Sequence, residues 1–133
     1  MGRPTVIFVD DDPDDGGLLH DAFQQCGCTA ELIELRSGAE FLSLMDLRRG
    51  NPPPDLVLLD LNMPVLDGWE TLRRFRSVFP AYTVPVIMYT TSASPLDREK
   101  GVEQGVEVVT KPSSIREIYH FAERLVSKYN LQC

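Results

Sequence analysis

The chain has 133 residues, 43% hydrophobic and 25% charged, enough for one domain with its own core and ordinary for a globular protein. Its net charge of -7 speaks against a nucleic-acid surface, which needs clustered Lys and Arg, and no apolar stretch approaches the roughly 20 residues that cross a bilayer. Cys26, Cys28 and Cys133 form no Cys-x-x-Cys pair and lack nearby His partners, so they read as reduced thiols; with no signal peptide, the expected location is the cytoplasm.

Thr5-Val6-Ile7-Phe8-Val9 is a continuous apolar run and predicts a first strand buried on both faces. It ends in Asp10-Asp11-Asp12-Pro13-Asp14-Asp15, where Pro13 suits the first turn of a helix and the acids suit the positive end of its dipole. Leu18, Leu19, Ala22, Phe23 and Cys26 recur at helical spacing, and Gly27 ends that helix. Gly16 and Gly17 weaken its first turns by roughly 1 kcal/mol each relative to alanine. Ala30 to Leu35 is more polar and predicts an edge strand. Ser37 and Glu40 have the spacing of a capping box ahead of a second helix through Leu47.

After the stiff Pro52-Pro53-Pro54 loop, Leu56 to Leu59 predicts a third strand, again buried on both faces. It stops at Asp60. Asp67 is a plausible N-cap for a helix carrying Trp69, Leu72, Phe75 and Phe79, ended by Pro80. Pro85 to Tyr89 predicts the fourth strand, leading into Thr90-Thr91-Ser92. A polar helix runs from Ser94-Pro95 to about Gln104, weakened by Gly101 and Gly105. Val106 to Thr110 is the fifth strand, broken by Lys111-Pro112. Ser113 or Ser114 caps a last helix that includes Ile118, Ala122 and Leu125. Strands alternating with helices imply right-handed βαβ units and a parallel sheet covered on both faces, all within one domain spanning 1–133 with no output domain.

Ligands of such sheets bind at the carboxyl ends of the strands. There the sequence places Asp10 and Asp11, Asp60, Thr90 and Lys111. If these strands are neighbours, three carboxylates repel and raise one another's pKa, which a divalent cation relieves. All-oxygen ligands with an incomplete shell favour Mg2+: Asp11 and Asp60 as ligands, Asp10 directly or through water, and the backbone carbonyl of Asn62 as a further candidate. Asp60 is then a nucleophile for a phosphoryl group whose oxygens are balanced by the metal, Lys111 and the Thr90 hydroxyl. A lone Asp before a helix is ordinarily a solvated cap, and Asp12, Asp14 and Asp15 are read that way. Tyr89, Trp69 and Tyr119 read as packing or partner surface, and His20 and His120 as satisfied or exposed.

At these residues the sequence resembles the receiver domain of two-component response regulators. The matching pieces are Val9-Asp10-Asp11-Asp12, Leu58-Leu59-Asp60-Leu61-Asn62-Met63-Pro64 with Asp67-Gly68, Tyr89-Thr90-Thr91-Ser92 and Val109-Thr110-Lys111-Pro112. The resemblance implies a flavodoxin-like (βα)5 fold with strand order 2-1-3-4-5. It also implies Mg2+-dependent phosphorylation of Asp60 by a histidine kinase and a cis bond before Pro112. The roles implied are acidic pair for Asp10 and Asp11, switch hydroxyl for Thr90 and phosphate binder for Lys111. Asp-Asp-Pro-x-Asp, Leu-Asn-Met-Pro and Thr-Thr-Ser resemble stand-alone receivers found beside phytochrome-type or hybrid kinases. One departure is Val108, where the family usually has the Tyr or Phe that moves with the switch hydroxyl.

The leading expectation is a signalling receiver that binds a partner when phosphorylated, catalysing only its own phosphorylation and dephosphorylation. A phosphorelay shuttle to a histidine phosphotransfer protein uses the same site. A phosphatase of the haloacid-dehalogenase type would need a general acid two residues after the nucleophile, where Asn62 stands. A flavodoxin-like cofactor module would need a phosphate-cradling loop after strand one, where three aspartates repel phosphate. The resemblance further implies a dimer or partner face built by the fourth helix, fifth strand and fifth helix, including Arg98, Glu99, Glu103, Glu107, Arg116, Tyr119, Glu123 and Lys128.

Overall fold

Every apolar run becomes a parallel strand in the computed structural model, which describes residues 3–132. The strands are β1 (Thr5–Val9), β2 (Glu31–Leu35), β3 (Leu56–Leu59), β4 (Val86–Thr90) and β5 (Glu107–Thr110). They alternate with α1 (Pro13–Gln25), α2 (Gly38–Leu47), α3 (Gly68–Val78), α4 (Pro95–Gln104) and α5 (Ile115–Lys128). The order in the sheet is β2-β1-β3-β4-β5, as expected, with the polar β2 at an edge.

The two-residue period of each strand splits its side chains between two cores. Val6, Phe8, Leu56, Leu58, Ile87 and Tyr89 face α1 and α5, packing with Leu19, Phe23, Phe121 and Leu125. Ile7, Val9, Val57, Leu59 and Met88 face the other way, onto Phe41 and Met45 of α2 and Leu72 and Phe75 of α3. Complete burial of a side chain such as Phe8, Leu58 or Ile87 contributes about 2 kcal/mol. No helix among the described residues is long and apolar enough to cross a membrane.

Helix α4 attaches differently. Gly101 is its buried residue, and a Cβ there would lie 2.6 Å from Val108 Cγ2 and 3.0 Å from the Val106 carbonyl. The glycine that reads as a helix weakener is what lets α4 lie directly on β5, over Val108.

Caps mostly fall where the sequence puts them. Ser37 Oγ accepts from Glu40 N at 3.1 Å, but Glu40 Oε2 accepts from Arg36 N rather than from the cap itself, so the expected box is displaced by one residue. The reciprocal box forms instead at α4, where Ser94 and Asp97 bond each other's main chain at 3.0 and 3.1 Å. The expected cis bond before Pro112 is absent: no peptide bond among the described residues is cis. Cis and trans forms before proline differ by only about 0.5–1 kcal/mol, so the local sequence does not dictate the isomer.

Cys26 and Cys28 are thiols, donating to the Tyr119 carbonyl at 3.7 Å and the Leu131 carbonyl at 3.5 Å, as expected of reduced cysteines; Cys133 lies outside the described residues. Leu131 is fully buried, and its carbonyl also accepts from Thr29 N at 3.2 Å, just ahead of β2.

Candidate functional site

The register of the central strands assembles the site. Val9 pairs with Leu59, so the next residues, Asp10 and Asp60, emerge side by side at the carboxyl ends of β1 and β3. Asp60 N donates to the Val9 carbonyl at 2.9 Å and Asp10 N to the Leu35 carbonyl at 3.0 Å, which fixes both main chains. Thr90 pairs with Thr110, and Lys111 N donates to the Thr90 carbonyl at 2.6 Å, bringing the lysine to the same edge. The chain reverses its direction across the sheet between β1 and β3, and the crevice outside such a reversal is where open α/β sheets bind ligands.

Asp10, Asp11 and Asp60 each offer an oxygen within 4.8 Å of the others, as the sequence leads one to expect. Asp10 and Asp60 are buried, whereas Asp11 is exposed. Asp60 Oδ1 accepts from Asn62 N at 3.2 Å, and Asp10 Oδ1 from Asp12 N at 2.9 Å. Burial pushes the Asp60 pKa up to about 6, against the Asn62 N–H and the Lys111 charge and with the help of Asp10. Burial likewise raises Asp10, against its bonds to Lys111 and Asp12. Two carboxyls that resist ionisation beside a lysine have too little positive charge nearby. With an exposed third carboxylate as a further oxygen donor, the cluster fits a divalent cation with oxygen preference.

Lys111 Nζ lies 2.6 Å from Asp10 Oδ2, 2.7 Å from Asp15 Oδ2 and 3.8 Å from Asp60 Oδ2. Burial pulls its pKa down, but the bonds to Asp10 and Asp15 more than offset this and hold it above the ordinary lysine value. The Tyr89 ring lies 5.7 Å from the ammonium. Burial carries the Tyr89 hydroxyl well above its usual pKa, and the residue is 3% exposed, so it is a packing residue as read from the sequence.

Asp15 corrects the sequence reading. Expected to be solvated, it is a partner of Lys111, with a side chain 28% exposed. The available signal is helical phase: Pro13 begins α1 and Asp12 caps it, accepting from Asp14 N at 3.0 Å, which turns Asp15 back toward the sheet. Asp12 is a cap, and Asp14 is exposed, as expected. The Thr90 hydroxyl is buried and accepts from Asn62 Nδ2 at 2.9 Å, so two predicted site residues are bonded to each other. Trp69 Nε1 donates to Asp97 Oδ1 at 3.2 Å, tying the start of α3 to the start of α4.

The loop after Asp60 carries strain. Val65 has φ +69° and is fully exposed, and Leu66 N closes a three-residue turn on the Pro64 carbonyl at 2.8 Å. A β-branched residue rarely adopts that conformation. Val65→Gly is expected to stabilise the protein by about 1 kcal/mol, the relieved strain exceeding the entropy added to the unfolded chain. Urea unfolding checks it: an unchanged or lower midpoint would contradict it.

Residues 6–123 match the response regulator receiver domain family. The chain belongs to that family. Response regulator Rcp1 of Synechocystis sp. is 27% identical to this receiver over 127 residues, covering 92% of this chain and 86% of Rcp1. The structure of the Mn(2+)-bound form of Rcp1 matches with a TM-score of 0.79 at 26% identity, covering 93% of this chain and 92% of that one. The bacteriophytochrome response regulator RtBRR matches with a TM-score of 0.74 at 30% identity, over 91% of this chain and 76% of RtBRR. The sensor histidine kinase CheAY of Helicobacter pylori is 33% identical over 82% of this chain, which spans 13% of that kinase. The chain also spans 46% and 51% of two transcriptional regulators that it matches. With these relatives, the flavodoxin-like fold and the receiver assignment expected from the sequence hold.

Proposed function

We propose that this receiver accepts a phosphoryl group on Asp60 from the phosphohistidine of a sensor histidine kinase and signals by docking to another protein while phosphorylated. The observation that carries the reading is the buried Asp60 carboxylate beside Asp10 and Asp11, with the Lys111 ammonium 3.8 Å away. An Asp60 oxygen attacks phosphorus, the bond from phosphorus to the imidazole nitrogen breaks, and the imidazole leaves with a proton. Asp10, Asp11 and Asp60, with the Asn62 carbonyl, would hold Mg2+, which when bound supplies positive charge to the phosphoryl oxygens. Lys111 bonds one phosphoryl oxygen. The Thr90 hydroxyl, which accepts from Asn62 and donates to the Ser92 carbonyl at 3.4 Å, redirects its proton to another.

The relatives support a kinase of the phytochrome-linked kind as the donor, since RtBRR is a bacteriophytochrome response regulator. Residues 1–133 then act as a single receiver unit in the cytoplasm, with no catalytic output of their own. The face formed by α4, β5 and α5 is the proposed docking or dimer surface. Its charges are already partly paired, Arg124 and Lys128 with Glu107 at 3.1 and 3.8 Å, so a partner would have to exchange these ion pairs.

Incubation with acetyl phosphate and Mg2+, read by intact mass, tests the site. Wild type is expected to gain one phosphoryl group; Asp60→Asn and a chelator-treated sample are expected to gain none. An adduct that survives Asp60→Asn would overturn the assignment of Asp60.

A further inference from the structure

We propose that Asp15 is a positioning residue that holds the Lys111 ammonium on the α1 side of the site and competes for it with the phosphoryl group. The proposal rests on the phosphoacceptor reading of Asp60 and adds a resting partner for the lysine. An ammonium has three N–H donors. Two are directed to Asp10 and Asp15, at 2.6 and 2.7 Å, while Asp60 at 3.8 Å is beyond hydrogen-bond length. The Tyr89 ring lies 5.7 Å from the same nitrogen. Lys111 is thus drawn toward the first turn of α1 and away from the oxygen it must serve.

Asp15 differs from the other carboxylates around Lys111. Asp10 and Asp60 belong to the metal-competent cluster, so their charge is shared once a cation binds; Asp15 lies outside that cluster and keeps its whole charge for the lysine. Its place is built in. Pro13 begins the helix and Asp12 caps it, so Asp15 sits in the first turn, where the helix dipole favours a carboxylate. The next residue, Gly16, is buried against β2, so close that a Cβ there would run into the Glu34 carboxylate. The Lys111 side chain is 10% exposed and that of Asp15 28%, so water screens this pair less than a surface pair. For Lys111 to reach a phosphoryl oxygen, the bond to Asp15 must lengthen or break. Asp15 therefore sets the ease with which the lysine is recruited.

Beryllofluoride, a non-covalent phosphoryl mimic, tests this in the presence of Mg2+ on the full chain. Asp15→Asn keeps a carbonyl acceptor but loses the charge, and is expected to bind beryllofluoride about five- to tenfold more tightly, with Mg2+ affinity changed less than twofold. Asp15→Glu restores the charge and is expected to return toward wild type. The half-saturating concentration of acetyl phosphate is expected to fall with Asp15→Asn while the saturated rate changes little. The Lys111 ammonium resonance, observed by 15N NMR, is expected to differ between wild type and Asp15→Asn in the resting protein and to coincide once beryllofluoride is bound.

Equal beryllofluoride affinity in wild type and Asp15→Asn would overturn the proposal, as would a Lys111 resonance that ignores the substitution. If wild type itself binds no beryllofluoride and takes no phosphoryl group, the phosphoacceptor reading fails and this one with it. If wild type does both and Asp15→Asn matches it, only the role of Asp15 fails.

Discussion

Metal-free Asp60→Asn protein is expected to melt higher than wild type at pH 7.5, by roughly 5–10 °C, although it has lost the residue on which the chemistry depends. The cause is the cost of holding a buried carboxylate. Asp60 has a pKa of about 6 in the folded chain against 3.8 ordinarily, and burial is the leading reason. Below about pH 4 the carboxyl is protonated in both states and costs nothing. As pH rises from there toward 6, the unfolded chain gives up the proton first, so stability falls. Above 6 the folded state carries the whole penalty, about 3 kcal/mol. Asp10 is raised as well, which steepens the same slope. Lys111, raised above 10.5, contributes stability that is complete below that value, so it is constant across this window. Thermal unfolding in chelator at several pH values from 4 to 7.5 checks the sign. Wild type should lose stability with rising pH more steeply than Asp60→Asn, and added Mg2+ should recover it at pH 7.5. Parallel curves for the two proteins would show that Asp60 is not held at a cost.

Gly68→Ala is expected to destabilise the protein by about 3 kcal/mol and to slow phosphorylation at least tenfold. Gly68 opens α3 behind its Asp67 cap, and its N–H reaches the Leu61 carbonyl at 3.0 Å. A Cβ there would lie 2.6 Å from the Asp60 carbonyl oxygen and 2.9 Å from Leu61 Cα. Both are main-chain atoms that cannot swing aside, so the methyl would push the phosphoacceptor out of register with Asp10. Gly17→Ala is the matched control: nothing lies within 4 Å of its Cβ, so it is expected to gain up to about 1 kcal/mol of helix propensity. Denaturant unfolding of both variants, with acetyl phosphate kinetics beside it, checks the pair. A Gly68→Ala protein as stable and as fast as wild type would show that the loop tolerates the methyl.

The central strands β1, β3 and β4 were legible because each is dominated by an apolar run, and β2 was legible as an edge because Glu31 and Glu34 interrupt its run. Asp10, Asp11, Asp60, Thr90 and Lys111 were legible for a related reason: a polar residue ending a buried strand must stand at the sheet's edge. Asp15 was not, because its partner lies 96 residues away and only the phase of α1 brings them together. Gly101 reads as a poor helix residue because propensity is local, whereas its reason is the Val108 methyl across the interface. Val65 hides its strain for the same cause: Pro64 and Asp67-Gly68 announce a turn, but not which residue must take the positive φ. The isomer before Pro112 rested on resemblance alone, and the bond is trans.

The burial of Leu131 decides how this protein can be handled. Its carbonyl is held by Thr29 at the amino edge of the sheet, which ties the stretch after α5 to the approach of β2. Asp60 lies at the opposite edge, a strand length or roughly 15 Å away. A dye or biotin handle attached at the exposed Gln132, through Gln132→Cys, therefore sits at the end opposite the phosphoacceptor. Immobilised on a sensor chip by that end, the receiver presents its reactive edge to the flowing kinase.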